Sequence, residues 1–536
     1  MKHYLSFFML LFSFAMFSQT EDAWVYFNAK PNAQSFLDTP SQMLSQRALD
    51  RRTNQNIALS FTDVPLEKTF VSQIKSSTGI TIKAQSKWLN ALHIQGTQAN
   101  LLALKSLSFV DKVVFADRNL NVTSKKVSEN QVSITNDKLN TTVDYAYGTS
   151  ANQIQMLNGQ VLHQQNYTGA GKIIAVLDAG FPGVNTAQPF QNLIANNRIL
   201  GGYDFVSRNA NFYAGDDHGT MVLSTMGGYK ENALIGTAPD ASYYLFITED
   251  DDSEGPVEES LWVEAAEKAD SLGVDIITTS LGYFGEFTNS RYNHIYSDMN
   301  GTTNFISRGA EIAFSKGIIV VASAGNEGTQ TEKHIGGPAD AVSVIAVGSV
   351  TASKVRSSFS SIGPSFDGRI KPDVMARGSS ATVSNASGTI IGADGTSFSC
   401  PIMAGMIACL WQAFPSKTNQ QIRQMILESS DNYTTPNNTY GYGIPNFGST
   451  LGVESFENTT SFSVYPNPAQ TNVSFSFSDQ NEVASVIIYS VLGQKLIEKQ
   501  ITNQNPILSL QSLKSGLYFY TFDVEGLHKT GKIVKQ

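Results

Sequence analysis

The chain has 536 residues, of which 41% are hydrophobic and 15% charged, with a formal net charge of −9. This balance excludes a disordered chain, a coiled coil and a protein whose main partner is nucleic acid, and the length suffices for roughly three or four domains. Two cysteines exclude a disulfide scaffold.

At the N-terminus, Met1-Lys2-His3 precede an apolar run over residues 5–17 and then Ser18-Gln19. A basic start, a short apolar core and a small residue read as a secretory signal peptide over 1–18. The run is too short to span a bilayer comfortably, and no later stretch reaches the length of a span, so the mature chain is expected to carry none.

Residues 20–118 read as an α+β module. The alternation over 23–29 predicts a strand, as do 80–84, 91–95 and 110–116. Residues 40–52 predict a helix with a basic face, and 68–76 and 98–106 predict two more. Over 119–150 apolar periodicity disappears and Asn, Thr, Ser, Asp and Lys dominate, as in an exposed linker open to proteolysis.

From 151 to 450 the pattern is β–α alternation. Apolar runs at 172–177, 241–247, 275–279, 318–322 and 341–347 predict buried strands, and 257–272 and 303–316 predict helices. Strands alternating with helices imply a parallel sheet covered on both faces, with ligands beyond the carboxyl ends of the strands. Residues 460–536 switch to short strands at 461–465, 472–477, 483–489, 495–501, 507–510 and 517–524. Gly493, Pro506, Gly516 and Gly526 punctuate them, and a small β-sandwich is the simplest reading.

Gly395-Thr396-Ser397 leads into small and apolar residues through Gly405, a pattern that suits a serine at the start of a buried helix. Taken alone, this is a capped core helix; it is equally a place where a hydroxyl meets the free N–H groups of a helix end. Asp178 ends an apolar run, where it either caps a turn or serves a buried partner. His218 stands in Asp216-Asp217-His218-Gly219-Thr220, either capping a helix or acting as a base. Cys400 and Cys409, nine residues apart on one predicted helix, would lie roughly 13 Å apart, beyond the ~7 Å reach of a disulfide. Two free, buried thiols are expected. The acidic run at 249–254 reads as a solvated loop, with a preference for basic side chains or a bound cation as the alternatives.

Together, Asp178, His218 and Ser397 have the residue types and the Asp–His–Ser order of a subtilisin-type triad. The flanking motifs are Val176-Leu177-Asp178-Ala179-Gly180, His218-Gly219-Thr220, Ser280-Leu281-Gly282, Ala324-Gly325-Asn326-Glu327-Gly328 and Gly395-Thr396-Ser397-Phe398-Ser399-Cys400-Pro401. The chain resembles the subtilases, the subtilisin-like serine peptidases. The resemblance implies a three-layer α/β catalytic domain with a parallel sheet, preceded by an α+β propeptide and followed by a small β-sandwich. It implies catalysis by Asp178, His218 and Ser397, an oxyanion donor in Asn326, and a substrate-pairing strand at Ser280, Leu281 and Gly282. No cofactor is needed for the chemistry; structural calcium stays open and unassigned. The departures are Ala179 in place of Thr or Ser, Met221 in place of a second His, Phe398 in place of Met, and Ser399-Cys400 in place of Ala-Ser. None removes a catalytic group.

Leu44-Ser45-Gln46-Arg47-Ala48 and Ser86-Lys87-Trp88-Leu89-Asn90-Ala91 resemble subtilase propeptides of secreted Bacteroidetes-type enzymes, which implies an inhibitor and folding chaperone released by cleavage in the linker. Val464-Tyr465-Pro466-Asn467-Pro468, Tyr489-Ser490-Val491-Leu492-Gly493-Gln494 and Leu513-Lys514-Ser515-Gly516-Leu517-Tyr518 resemble the C-terminal sorting domain of type IX secretion. The expected partners are protein or peptide substrates, the chain's own propeptide and the type IX machinery, and the expected location is outside the cell or on its surface.

Overall fold

The computed structural model describes residues 19–121, 145–250, 253–451, 463–476, 483–490, 493–502, 505–524 and 527–536. The expected signal peptide and residues 122–144 of the expected linker lie outside them. The chain divides into two units, Met1–Val453 and Glu454–Gln536.

The alternation read over 23–29 becomes strand β1 (Thr20–Phe27) of an antiparallel sheet completed by β2 (Thr81–Ser86), β3 (Ala91–Thr97) and β4 (Val110–Phe115), in the order β2-β3-β1-β4. Successive side chains of a strand point to opposite faces, and the two faces of β1 have different partners. Ala23, Val25 and Phe27 pack with Ile74 and Leu101 of the module's own helices. Trp24 and Tyr26 enter a core shared with the helix Pro256–Leu272. The helix predicted over 40–52 is broken: a 3-10 turn at Pro40–Gln42 is followed by the helix Gln46–Asn54, because the Ser45 hydroxyl accepts the Ala48 N–H (3.2 Å) and caps a new start.

This module docks on the β–α domain through polar and apolar contacts. The Trp24 indole donates to the Ser260 hydroxyl (2.8 Å) and stacks on Phe305 at 5.1 Å. Glu267 accepts from the Ser86 hydroxyl (2.6 Å) and from the N–H groups of Lys87 and Trp88 (both 2.9 Å). Arg51 and Arg52 both reach Asp270, at 2.5 and 3.0 Å.

The central sheet contains β5 (Ile173–Asp178), β6 (Ile199–Asp204), β9 (Ser242–Ile247), β10 (Ile276–Thr279), β11 (Ile319–Ser323), β12 (Ile345–Val350) and β13 (Val374–Arg377). A small hairpin of β7 (Tyr229–Lys230) and β8 (Leu234–Ile235) lies between β6 and β9 in sequence. The order is β13-β12-β11-β10-β5-β9-β6, and every pairing is parallel. Strand β5 separates two cores, with Ile174 and Val176 in one and Ile173, Ala175 and Leu177 in the other. After β5 the chain fills one side of it with β6 and β9 and then crosses to β10 on the other. The carboxyl end of β5 is therefore a topological switch point, the usual place for a site in such a sheet.

The antiparallel hairpin β14 (Ala381–Ser384) and β15 (Ile390–Ala393) delivers the chain to Gly395 and the helix Thr396–Ala413. Nearly every residue of that helix is buried. Its Pro401 stands near the start, where a missing N–H matters least.

The C-terminal unit is the expected β-sandwich. Strands β16 (Ser463–Tyr465), β17 (Asn472–Ser476) and β20 (Ile507–Ser509) form one sheet. Strands β18 (Val483–Tyr489), β19 (Lys495–Thr502), β21 (Gly516–Val524) and β22 (Leu527–Lys535) form the other. Val473, Phe475, Val486, Ile488, Phe522 and Ile533 fill the space between them. No helix among the described residues is long and apolar enough to cross a membrane.

Candidate active site

Asp178 is the last residue of β5 and is fully buried. Its Oδ1 accepts the Ala179 N–H (2.9 Å) and the His218 Nδ1–H (2.7 Å). Its Oδ2 is buried without a hydrogen-bond partner among the described residues. A serine or threonine at 179 would carry a hydroxyl beside this carboxylate; Ala179 has none.

His218 opens the helix His218–Gly227, not a loop, and its N–H donates to Asp216 Oδ1 (2.8 Å). Gly219 is what allows the imidazole this close: a Cβ there would lie 2.4 Å from the Gly180 carbonyl oxygen and 2.9 Å from the Asp178 Cβ. The Asp178 charge lifts the imidazole from its ordinary pKa to about 9, with Asp216 and Asp217 adding to the lift and burial opposing it. With Nδ1 donating to Asp178, Nε2 is the ring nitrogen left to accept a proton.

Ser397 is the second residue of its helix and is 8% exposed. Its hydroxyl donates to the Ser280 carbonyl (3.4 Å), and the Ser280 hydroxyl donates to the Ser397 carbonyl (2.8 Å). The serine predicted as nucleophile and the first residue of the predicted substrate strand are thus locked together. Its own N–H lies in the first helical turn, where such groups lack an intrahelical acceptor.

Asn326 follows β11 and Gly325, which adopts φ +101°. Its Oδ1 accepts both the Thr396 N–H and the Thr396 hydroxyl, each at 3.0 Å. Two donors thus hold the amide oxygen against Thr396, the residue before Ser397. Thr396 was not singled out in the sequence; a hydroxyl next to the candidate nucleophile was the available signal.

Leu281 is partly buried and Gly282 is exposed. The next residue, Tyr283, exchanges two backbone hydrogen bonds with Gly337, at 2.9 and 3.1 Å. This joins the Ser280–Gly282 segment to the loop before Pro338. The expected solvated loop at 249–254 differs from the structure. Glu258 accepts the N–H groups of Asp250 (2.9 Å) and Gly255 (2.6 Å) at the start of its helix, and Glu249 accepts the Tyr283 hydroxyl (2.5 Å). Carboxylate oxygens of Glu249, Glu254 and Glu258 lie within 4.8 Å of one another. Burial pushes these acids up to about 8, 7 and 9; the charge of Glu254 adds to the rise at Glu249 and Glu258, and those of Glu286 and Glu259 add to it at Glu254. Residues 251 and 252 lie outside the described residues.

Cys400 and Cys409 are free and buried, as expected. Burial pushes the Cys400 thiol up to about 12, which leaves it protonated and inert as a nucleophile.

Residues 169–443 match the family described as the subtilase family. The chain belongs to the subtilase family. Residues 22–133 match the Bacteroidota peptidase S8 propeptide domain, and 463–536 match the secretion system C-terminal sorting domain. Subtilisin NAT of Bacillus subtilis subsp. natto is 34% identical over 296 residues, covering 55% of this chain and 69% of that protein. The subtilisin of Bacillus pumilus is 33% identical over 296 residues, covering 55% of this chain and 95% of that one. Among solved structures, MycP1 from the ESX-1 type VII secretion system shares 21% identity, with a TM-score of 0.44, covering 59% of this chain and 90% of that chain. The protein is a subtilisin-family serine endopeptidase, made with a propeptide and carrying a type IX sorting tail that directs it to the cell surface or beyond.

Proposed function

We propose that this subtilase hydrolyses peptide bonds through Asp178, His218 and Ser397 by way of an acyl-enzyme. The observation that carries the reading is the 2.7 Å hydrogen bond from His218 Nδ1 to a fully buried Asp178, at the sheet's switch point. Asp178 fixes the tautomer and steadies the imidazolium without taking the proton itself. The hydroxyl that now donates to Ser280 turns to His218 Nε2 when substrate arrives, since catalytic hydrogen bonds often tighten only in the complex.

The Ser397 proton passes to Nε2 as Oγ bonds to the scissile carbonyl carbon. The carbonyl oxygen becomes an oxyanion between the Asn326 amide and the Ser397 N–H, which are donors aimed where charge develops. The C–N bond breaks as His218 returns the proton to the leaving amine. Water then attacks the ester, gives one proton to His218, and Ser397 regains it as the acid departs. The exposed Ser280–Gly282 segment pairs with the extended substrate backbone. The propeptide, docked across the helix Pro256–Leu272, keeps the enzyme a zymogen until the segment between the two modules is cut, within 119–150. The sandwich at 460–536 engages the type IX machinery.

Labelling with a fluorophosphonate tests the reading: wild type is labelled and Ser397→Ala is not. Equal labelling of the two, or none of wild type, overturns it. Turnover of casein over simple esters separates a peptidase from an esterase on the same triad.

A further inference from the structure

Tyr283 stands directly after the segment read as the substrate strand, and its side chain is buried, with 1% of the residue exposed. A buried phenol requires an acceptor for its hydroxyl, and it finds one in Glu249 Oε2 at 2.5 Å. The other Glu249 oxygen accepts the Thr248 hydroxyl at 2.9 Å, and the Thr248 N–H donates to the Asp178 carbonyl at 3.1 Å. On its other side, the Tyr283 backbone is bridged twice to Gly337. The approach there is close: a Cβ on the neighbouring Gly336 would come within 2.9 Å of the Tyr283 carbonyl oxygen.

These bonds form one continuous path. It runs from the backbone of Asp178, through Thr248 and the Glu249 carboxyl, to the Tyr283 ring, and from its backbone to Gly337. Three loops that leave the carboxyl ends of different strands (after β9, after β10 and before β12) are tied to each other at a single residue, through the side chain and the backbone of Tyr283. Two of them, 280–282 and 336–338, face each other across the bridge.

We infer that Tyr283, anchored by Glu249, is a positioning residue that fixes the spacing and register of the substrate strand Ser280–Gly282. This rests on the triad reading, because it assigns that segment to substrate. Neither side chain takes part in the chemistry. Their effect reaches the substrate through backbone atoms, so it belongs to binding of an extended peptide more than to turnover. Glu249 is consumed by this contact, which removes it as a selector of basic side chains.

The test is steady-state kinetics on an extended tetrapeptide anilide, with fluorophosphonate labelling rates read on the same secreted, processed enzyme. Tyr283→Phe keeps the ring and deletes the hydroxyl. The expected result is a rise in KM of about tenfold, the usual scale for one buried hydrogen bond, with kcat and labelling within twofold of wild type. Glu249→Ala should reproduce this rise. Glu249→Gln, whose amide oxygen still accepts from the phenol, should stay nearer wild type. An unchanged KM in Tyr283→Phe overturns the inference. So does a parallel loss of kcat and labelling, which would mark general damage. A wild-type enzyme that is not labelled overturns the triad reading and this inference with it.

Discussion

Asp178 grips His218 with one carboxylate oxygen and leaves the other buried and, among the described residues, unpartnered. The grip has opposite consequences for activity and stability. In the proposed mechanism His218 must be neutral to take a proton, and it is lifted to about 9. The activity, kcat/KM, should therefore climb with pH through an acid limb near 9. The stability sign is the reverse. The folded pKa lies above the unfolded one, so the ion pair contributes fully below about 6.5 and is lost as pH rises through 9. The contribution is on the order of 3 kcal/mol. Paired pH–rate and pH–melting curves check both. Asp216→Asn and Asp217→Asn remove charges that help the lift, so each should move the acid limb to lower pH.

The unpartnered Asp178 oxygen gives a second expectation. A hydroxyl at position 179 would stand beside it and spread its negative charge. Ala179→Ser should then weaken the hold on the imidazolium and lower the acid limb by a fraction of a pH unit. It should also raise the melting temperature, because a buried orphan acceptor costs about 1–3 kcal/mol. An acid limb that moves upward would show that the added hydroxyl points elsewhere.

The candidate site residues Asp178, His218, Asn326 and Ser397 were legible in the sequence because each stands in a short local pattern at or just beyond a strand or helix end. Strands β5, β9, β10, β11 and β12 of the parallel sheet were legible as apolar runs, whereas β13, only four residues long, was not. Strand β6 was not, since Gly201 and Gly202 interrupt it and most of its residues are only partly buried. Strand β22 was not, because lysines, a threonine and a glycine carry its alternation; Gly531 lies opposite Tyr520, whose ring occupies the space of a side chain. The helix Asn419–Glu428 begins in a polar run, and its cap of Thr418 with Gln421 is the local signal of its start. Pairs such as Glu249 with Tyr283, Thr396 with Asn326 and Trp24 with Ser260 are distant in sequence. No periodicity reports them, and only the fold brings them together.

Glu267 is a dense contact between propeptide and peptidase, since three donors from residues 86–88 converge on it. Glu267→Ala would strand a hydroxyl and two N–H groups in the interface. At about 1 kcal/mol or more for each stranded donor, binding of the cleaved propeptide should weaken roughly 100-fold. Size-exclusion chromatography of the nicked enzyme should show the propeptide separating earlier than in wild type. The activity of the fully processed enzyme should stay unchanged, because Glu267 lies on the helix face covered by the propeptide and not in the cleft. Glu267→Gln, which keeps acceptors at the same place, should retain more of the propeptide.

Thr396 and Asn326 offer the cleanest separation of orientation from chemistry. In the proposed role, Asn326 can donate to the oxyanion only if its oxygen is kept away from it, and that oxygen is held by two donors from Thr396. Thr396→Val keeps the shape and the N–H but deletes the hydroxyl, so the amide is held by one bond and spends time turned over. The expected loss is about tenfold in kcat, with KM little changed, since the oxyanion exists only after attack. Asn326→Leu removes the donor itself and should cost about 10²–10³-fold in kcat, the known cost of deleting an oxyanion donor from a subtilisin. The double variant should then be no worse than Asn326→Leu alone, because Thr396 would have nothing left to orient. Additive losses would instead mean that Thr396 contacts the reacting atoms directly, and kcat measured across the four enzymes distinguishes the two.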